Sequence, residues 1–333
     1  MVVRGVVTVF VVLALCCCVP AHGCALTLPA PLSGFRASGP LDIVNSCPRL
    51  FPAIGIRKFI NSFTSYQFAN PLPPFQDPLS RLEFPIDQWF LGLTGEYGTR
   101  FWTARAEGWV NLNRESGQKR QDSDWDDDVD PSQKTIFSES ECRLNKGLLF
   151  DTYLAISMPW KKFTNVKPLI GYRYQYFSFT THDGAQADLA GDVMELPGDG
   201  IDFRQTFNHV YFGGVFNGGV DLSPVLRMFP TLDLELEVDY GLVRAKNEDL
   251  HLLRVGDRVT TENTSGHCWH FYLSMEFFRR GTLSARIEGD FKRLLTDGDH
   301  NLSNSLFQLN FSFDGSQVWS DQASIAAAGQ IVF

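Results

Sequence analysis

The sequence predicts an all-β protein, a ten-stranded antiparallel transmembrane β-barrel of the outer membrane, from three observations. The first is an alternation within residues 232–253, where apolar side chains at even positions alternate with carboxylates at odd positions. These carboxylates are Asp233, Glu235, Glu237 and Asp239. Successive strand residues point to opposite faces, so one face is apolar and the other charged. The second is an alternation of short and long connections, and the third is an alternating apolar ending that finishes at Phe333. A barrel with a lipid-facing exterior and a polar lumen has these features.

The same two-residue period recurs along the chain and defines the other strands. Residues 102–112, 168–176 and 283–291 alternate apolar with polar positions, and their polar faces mix both charge signs. This mixture indicates a lumen filled with ion pairs, in which the four acids named above pair with Arg105, Arg173, Arg286 and Lys292. A soluble antiparallel sandwich gives the same alternation and stays open as an alternative. The predicted strands are 56–69, 79–97, 100–113, 143–158, 166–181, 203–217, 232–251, 263–278, 282–296 and 320–333.

The connections between these strands alternate in length. Residues 304–313 are expected to form a hairpin arm above the membrane rather than an eleventh strand. Short turns at one end and long loops at the other are typical of outer-membrane barrels, whose long loops face outward. The sequence therefore predicts the bacterial outer membrane, with the long loops extracellular. The short connections are 98–99, 159–165, 218–231 and 279–281, and the long ones are 70–78, 114–142, 182–202, 252–262 and 297–319.

The first residues predict a secretory signal peptide, residues 1–23. Arg4 supplies the positive charge, residues 6–19 an apolar core, and residues 21–23 a small-residue exit. Residues 24–55 are then expected to form an N-terminal periplasmic segment, and residues 56–333 the barrel. No later stretch offers ~18 consecutive apolar residues, so helical membrane spans are not expected.

Charge and cysteine spacing bear on partners and metals. The net charge of −9 argues against a nucleic-acid partner, since binding nucleic acid needs a basic face. There is no C-x-x-C and no cluster of His and Cys, so no metal site is expected. Cys142 and Cys268 both fall near starts of strands, which leaves a disulfide between them open.

Two acidic motifs fall in loops on the same side of the barrel. Asp122-Ser123-Asp124-Trp125 lies in the second long loop, and Asp249 and His251 lie at the fourth. With four of ten strands between them, the motifs would face each other across a mouth roughly 20 Å wide. The i, i+2 spacing puts both members of each pair on one face of an extended segment. Side chains reaching inward could therefore hold a water between them.

In these motifs the chain resembles a known family, the omptins, which are ten-stranded outer-membrane proteases of Gram-negative bacteria. The family pattern has Asp-x-Asp-Trp in the second outer loop, here Asp122 to Trp125, and Asp-x-His at the outer end of strand seven, here Asp249 to His251. Two further stretches match the family, and the likeness covers about residues 56–333. These stretches are Ser80-Arg81-Leu82-Glu83-Phe84 in strand two and Gly171-Tyr172 through Ser178-Phe179-Thr180 in strand five.

The resemblance implies an aspartic-type endopeptidase in which an Asp pair and an Asp–His pair flank a nucleophilic water. Asp122 and Asp124 would bind the water and manage charge at the scissile carbonyl. His251 would be the general base, with Asp249 orienting it and stabilising its protonated form. A neighbouring carboxylate is expected to bring the pKa of the histidine near ambient pH, where a base works best. Two close carboxylates also disfavour joint ionisation, so that one holds a proton.

The resemblance also implies a peptide or protein substrate outside the cell, contact with outer-membrane lipid and a requirement for lipopolysaccharide, with no other cofactor. Omptins that cut between basic residues carry acids in the specificity pocket, whereas the position beside the Asp–His pair is Asn247 here. Asn247 and Glu248 are the predicted substrate-binding residues, and the preference for Arg or Lys is in doubt. The alternative function is a non-enzymatic barrel, a porin-like channel or an adhesin.

Overall fold

The computed structural model describes residues 49–158, 165–222, 231–256, 258–278 and 283–331, so the predicted signal peptide lies outside the described residues. No helix in these ranges is long and apolar enough to cross a membrane. The strands are Arg49–Phe68 (β1), Ser80–Ile86 (β2), Trp89–Gly98 (β3), Trp102–Asn111 (β4), Arg120–Asp124 (β5), Ile136–Ile156 (β6), Val166–Asp188 (β7), Val193–Asp221 (β8), Thr231–His251 (β9), Arg258–Phe278 (β10), Leu283–Asn304 (β11) and Leu309–Ile331 (β12).

The twelve strands close into a ring of ten positions. β12 pairs antiparallel with β1, which closes the sheet. Two positions of the ring hold two strands each. β3 and β2 pair with successive halves of β1, and β4 and β5 pair with successive halves of β6. The prediction of a ten-stranded antiparallel barrel is therefore confirmed, with its second and third strands each broken in two.

The observed strand bounds differ from the predicted ones chiefly at the long-loop end. β6 begins at Ile136, β7 extends to Asp188, and β8 begins at Val193. Much of the predicted loops 114–142 and 182–202 is therefore strand. Above the membrane neither face of a strand needs to be apolar, so alternation fades while backbone pairing continues. The hairpin arm expected at 304–313 is present as the ends of β11 and β12. The barrel also begins earlier than predicted, because β1 starts at Arg49 rather than at 56.

An apolar belt surrounds the lower part of the barrel. Its large side chains point outward and are exposed, as expected where a barrel meets lipid. On β9 the belt ends at Leu242, and Asp249 and His251 lie beyond it. The belt includes Ile54, Ile56, Leu91, Leu93, Ile170, Val210, Phe212, Leu236, Trp269, Phe271, Leu273, Ile287, Phe291 and Ile325.

Inside this belt the lumen is filled by ion pairs. Arg105 lies 3.4 Å from Glu235, and Arg173 lies 3.3 Å from Asp239, so the predicted pairing is confirmed for these two acids. Arg286 and Lys292 instead contact acids of their own strand, Glu288 and Asp290, each at 2.5 Å. The space left among the central described side chains is only about 20 Å³. The charged lumen is thus packed rather than open.

His270 occupies the centre of this network. Its Nδ1 lies 2.5 Å from Asp239 and its Nε2 lies 3.1 Å from Asp290. Glu237, Asp239 and His270 present ligand atoms within 4.8 Å of one another, a spacing that a metal could use. However, Arg173 Nη2 lies 3.0 Å from the same Nδ1, so a cation already fills this position. We therefore interpret the group as part of the ion-pair network.

An aromatic layer lies above the charged lumen. It consists of Tyr66, Phe84, Phe179 and Phe203, all essentially buried. The rings of Phe84 and Phe203 stack with centroids 4.1 Å apart, and those of Phe84 and Phe179 are 5.4 Å apart. Such offset contacts add to the free energy of burial. Cys142 belongs to the same apolar core, and both it and Cys268 are buried free thiols, so the disulfide left open by the sequence is not formed.

Replacement of Arg173 by alanine is expected to destabilise the barrel by about 3–5 kcal/mol, because it leaves buried carboxylates without their counter-charge. Arg173 contacts both Asp151 and Asp239 and is almost fully buried. Arg204→Ala is the control, since Arg204 is an exposed arginine that pairs with Glu248 at 3.0 Å. Urea unfolding in lipid vesicles measures both. An equal, small effect of the two substitutions would contradict a structural role for the lumen network.

Candidate active site

A cavity of about 300 Å³ opens above the aromatic layer, at the end of the barrel that carries the long hairpins. Asp122 and Asp124 line it from β5, and His251 lines it from the end of β9. The structure therefore places these three residues around one space. Ser80 and Leu82 of β2 and Tyr66 and Phe68 of β1 contribute to the same wall.

The short strand β5 sets the position of the Asp pair. It is held between β2 and β6, with Asp122 opposite Leu82 on one side and Ser138 on the other. In an extended segment Arg120, Asp122 and Asp124 share one face, and all three line the cavity. Arg120 is buried, and its Nη2 lies 2.9 Å from a carboxylate oxygen of Asp122.

The two aspartates differ in their electrostatic surroundings. Burial, and after it the neighbouring charge of Asp122, raises the pKa of Asp124 to about 6. Asp122 has the Arg120 guanidinium as its immediate counter-charge. Joint ionisation of the pair is therefore disfavoured, and Asp124 is the member that holds a proton in mildly acidic solution.

In the Asp–His pair, Asp249 lies behind the ring of His251 as seen from the cavity. Asp249 is fully buried and accepts a hydrogen bond from the Tyr66 hydroxyl through Oδ2. Its other oxygen, Oδ1, lies 3.5 Å from Nε2 of His251. The His251 ring is 18% exposed and faces the cavity, whereas Asp249 lies behind it. This order lets the ring meet solvent while the carboxylate orients it from the protein side.

The charge state of this pair differs from the sequence-based expectation. Burial, and after it the cations of Arg258 and Arg120, lowers the pKa of His251 to about 3. Burial likewise raises the pKa of Asp249 to about 6, against the opposing effect of the hydrogen bond from Tyr66. The expected rise of the histidine pKa toward ambient pH is absent, because arginines face the ring and burial penalises its charged form. His251 is a neutral imidazole in the free protein.

The two predicted substrate-binding residues lie outside the cavity lining. Asn247 points inward but is fully buried deeper in the barrel, opposite Glu262 on β10. Glu262 is also fully buried and lies 2.9 Å from Nδ1 of His300. Glu248 points outward, where it pairs with Arg204. The parity of β9 turns Glu248 away from the lumen, so the structure does not place this predicted substrate-binding residue at the cavity.

Four residues of the site escaped the sequence reasoning. Tyr66 faces Asp249, while Arg120, Arg254 and Arg258 line the cavity. Parity along β1 would have pointed Tyr66 outward, because the exposed Ile54 and Ile56 also occupy even positions. A register shift between Ile60 and Phe63 reverses the faces of the strand, and it turns Tyr66 inward. The arginines carried no parity signal, since they lie in or beside segments that were predicted to be loops.

The comparisons with known proteins agree with the barrel fold. The sequence model of the omptin family matches residues 79–304. Among solved structures, the outer membrane protease OmpT from Escherichia coli superimposes with a TM-score of 0.70 at 15% identity, over 88% of this chain and 100% of that one. The translocator domain of the autotransporter NalP from Neisseria meningitidis gives a TM-score of only 0.30 at 10% identity, over 86% and 90% of the two chains. No curated protein sequence matches the chain.

The family match covers well over half of the 333 residues and includes both Asp122-Ser123-Asp124 and Asp249-Leu250-His251. The structural match to OmpT shows the same barrel fold. The chain therefore belongs to the omptin family of outer-membrane proteases and is a β-barrel of the bacterial outer membrane.

Proposed function

We propose that this protein is an endopeptidase that hydrolyses exposed peptides outside the cell, using a water held between the Asp pair and the Asp–His pair. The observation that carries the proposal is the shared cavity, which Asp122, Asp124 and His251 line together. These residues come from β5 and β9, far apart in the chain. A carboxylate pair and a neutral imidazole around one cavity are the groups that water activation requires.

His251 acts as the general base in this proposal. Its Nε2 is turned to Asp249, which leaves Nδ1 to accept a proton as the water oxygen attacks the scissile carbonyl carbon. The imidazolium that forms is stabilised by the ionised Asp249 carboxylate behind it. Asp249 is held in place by the Tyr66 hydroxyl, so the base has a fixed orientation.

The Asp pair acts on the other side of the water. Asp122, ionised beside Arg120, accepts a hydrogen bond from the water, and Asp124 presents the shared proton to the carbonyl oxygen. This division of roles between Asp122 and Asp124 follows from two observations. The pKa of Asp124 is raised to about 6, and the Arg120 guanidinium faces Asp122. After attack, the proton on His251 passes to the leaving amine, and the hydroxyl of the tetrahedral intermediate returns its proton to Asp124 as the C–N bond breaks. Hydrolysis therefore leaves the enzyme unchanged.

The experiment is peptide cleavage by protein refolded in detergent with lipopolysaccharide, whose requirement forms part of the proposal. A broad library of peptides, with products identified by mass spectrometry, reports both activity and the bond that is cut. Protein refolded without lipopolysaccharide tests that requirement separately. Absence of cleavage by correctly folded wild-type protein across the library would remove the enzyme proposal.

A channel function is less compatible with the packing of the lumen. At the level of the apolar belt, Arg105, Glu107, Glu237 and His270 enclose only about 20 Å³. A space of this size holds about one water, not a continuous column. Single-channel recording in planar bilayers tests this point, and we expect no stable conductance. Stepwise openings from the purified protein would favour the porin-like alternative.

We expect kcat/KM to show a bell-shaped pH dependence with its maximum near pH 6. The acid limb reports ionisation of Asp249, whose pKa is about 6, and the alkaline limb reports loss of the Asp124 proton near the same pH. The Tyr66→Phe variant removes a hydrogen bond that lowers the Asp249 pKa, so its acid limb should move about one unit higher. An acid limb that does not move would contradict the assignment.

The matched control for Tyr66→Phe is Tyr172→Phe. The hydroxyl of Tyr172 donates to Asn208 at 2.8 Å on the outer face of the barrel, far from the cavity lining. This control should keep the wild-type pH profile. A shift of both variants in parallel would point to a general effect on the barrel rather than to Asp249.

A further inference from the structure

The cavity wall is richer in cations than in acids. Arg120, Arg254 and Arg258 line it, whereas Asp122 and Asp124 are its carboxylates among the described residues. A cavity built to hold a basic side chain needs the opposite balance. The charge of the lining therefore points away from peptides with Arg or Lys at the cut.

The three arginines differ in whether they have an ion-pair partner. Arg120 is the counter-charge of Asp122, at 2.9 Å. Within the described ranges, by contrast, Arg254 and Arg258 lie within ion-pair distance of no carboxylate. Nε of Arg258 is buried without any hydrogen-bond partner in the described part of the chain. A buried guanidinium nitrogen without a partner is costly, so an acceptor brought by a ligand would be favourable at this position.

Arg254 and Arg258 lie next to His251, the proposed general base. Arg258 opens β10 and pairs in register with His251 on β9. Arg254 lies in the turn between the same strands, and its backbone nitrogen donates to the carbonyl oxygen of His251. Any group bound by Arg254 and Arg258 therefore lies beside the base, which is where a residue next to the scissile bond would be.

We propose that Arg254 and Arg258 form a subsite for a carboxylate, so that the protein selects peptides with an acidic side chain beside the cleaved bond. The inference rests on the proposed function for the meaning of that bond, and names its substrate class. The planar guanidinium presents paired N–H donors that match a carboxylate in a two-point contact.

An acidic substrate would also act on the base. Burial is the main cause of the low pKa of His251, and the charges of Arg258 and Arg254 also lower it. A bound carboxylate offsets these charges, which raises the pKa of His251 and makes the imidazole a stronger proton acceptor. The acidic residue therefore contributes to kcat as well as to KM. A peptide with a neutral residue at that position would lose both effects.

The binding test uses peptides blocked at both ends and identical except for Glu, Gln or Lys at one central position. Binding is measured by fluorescence anisotropy on the His251→Ala variant, which holds peptides without cutting them. We expect the Glu peptide to bind about 10- to 100-fold more tightly than the Gln peptide, and the Lys peptide to bind most weakly. A Gln peptide with a free C-terminal carboxylate shows whether a chain end serves equally well. Equal binding of the Glu and Gln peptides would overturn the proposal, and so would a preference confined to the chain end.

The residues are tested by Arg254→Gln and Arg258→Gln in the same background. Each should reduce the Glu preference to a few-fold, whereas Arg204→Gln, an exposed arginine paired with Glu248, should keep it. Because Arg254 is exposed in a turn, its replacement does not endanger folding. A full preference retained in the double variant Arg254→Gln/Arg258→Gln would overturn the assignment.

Cleavage by the wild-type protein separates this inference from the proposed function. Binding with the Glu preference but without cleavage would leave the subsite standing and remove the endopeptidase. Cleavage of all three peptides at similar kcat/KM would keep the endopeptidase and remove the subsite. Preferential cleavage of the Glu peptide, with both kcat and KM improved, supports the two together.

Discussion

Replacement of His251 by alanine is expected to lower kcat/KM for peptide cleavage by about 10²–10⁴-fold, the usual contribution of a positioned general base. His251 is the imidazole that lines the cavity opposite the Asp pair, and Asp249 holds it from behind. Without it, the attacking water must lose its proton to bulk solvent or to a carboxylate that is already hydrogen-bonded. The loss should appear in kcat, because a base acts in the transition state rather than in substrate binding.

His267→Ala is the matched control for this variant. His267 lies on β10 but points outward, where its ring stacks on Tyr240 with centroids 5.8 Å apart. Its replacement should leave kcat within about twofold, because it touches neither the cavity nor the lumen. Comparable activity of the His251→Ala protein and the wild type would exclude His251 as the base. A fall in both variants would instead indicate a defect in the barrel.

The membrane part of the fold was predictable because lipid imposes a strict pattern. Residues 232–251 were predicted as a strand, and β9 runs from Thr231 to His251. Lipid on one face and a polar lumen on the other require apolar and polar side chains to alternate at every residue. The sequence therefore specifies the register of the strand. The same reasoning places His270 toward the lumen, where it bridges Asp239 and Asp290.

The part of the barrel above the belt was less predictable, for a physical reason. There both faces of a strand meet water or other polar groups, so β7 and β8 continue to their hairpin at 189–192 without an alternating pattern. β5 escaped prediction because five residues give too short a pattern for a periodicity argument. The backbone pairing that holds such segments depends on neighbouring strands, which single-sequence reasoning does not see.

The site was predictable only in outline. Strand parity and the order of the loops were enough to place Asp122, Asp124 and His251 at one end of the barrel, and the structure puts them around one cavity. The roles of these residues came from the resemblance and remain proposals. The electrostatics were not predictable, because the pKa of His251 depends on arginines such as Arg258 that reach it across strand pairs. The aromatic layer likewise depends on contacts between distant strands, such as that of Phe84 with Phe179.

The variants Asp122→Asn and Asp124→Asn are expected to separate activity from stability. Both should lower kcat/KM by about 10²–10³-fold, because Asp122 binds the reacting water and Asp124 presents its proton to the carbonyl oxygen. Their effects on the free energy of unfolding should have opposite signs. Asp122→Asn leaves the buried Arg120 without its counter-charge and should destabilise the barrel by about 1–3 kcal/mol.

Asp124→Asn should instead stabilise the protein at pH 8, by about 1–2 kcal/mol. Folding raises the pKa of Asp124 from 3.8 to about 6, so above pH 6 the folded state carries a charge that its surroundings disfavour. This cost is fully present above the folded pKa and disappears below the unfolded one. The asparagine has no such cost, so its advantage at pH 8 should vanish near pH 3.5. The full linkage value is not expected, because Asp124 is only half-buried and water screens its charge.

Asp127→Asn provides the control for both variants. The carboxylate of Asp127 is exposed and accepts the backbone N–H groups of Val129 and Asp130 at 2.7 Å and 3.1 Å, within its own loop. Its replacement should change neither kcat/KM nor the pH dependence of stability by more than a small amount. Unfolding in urea at the two pH values, with activity measured on the same samples, gives the comparison. If Asp124→Asn lost stability at pH 8, the burial argument for this carboxylate would be wrong, and the division of roles between Asp122 and Asp124 would lose its physical basis.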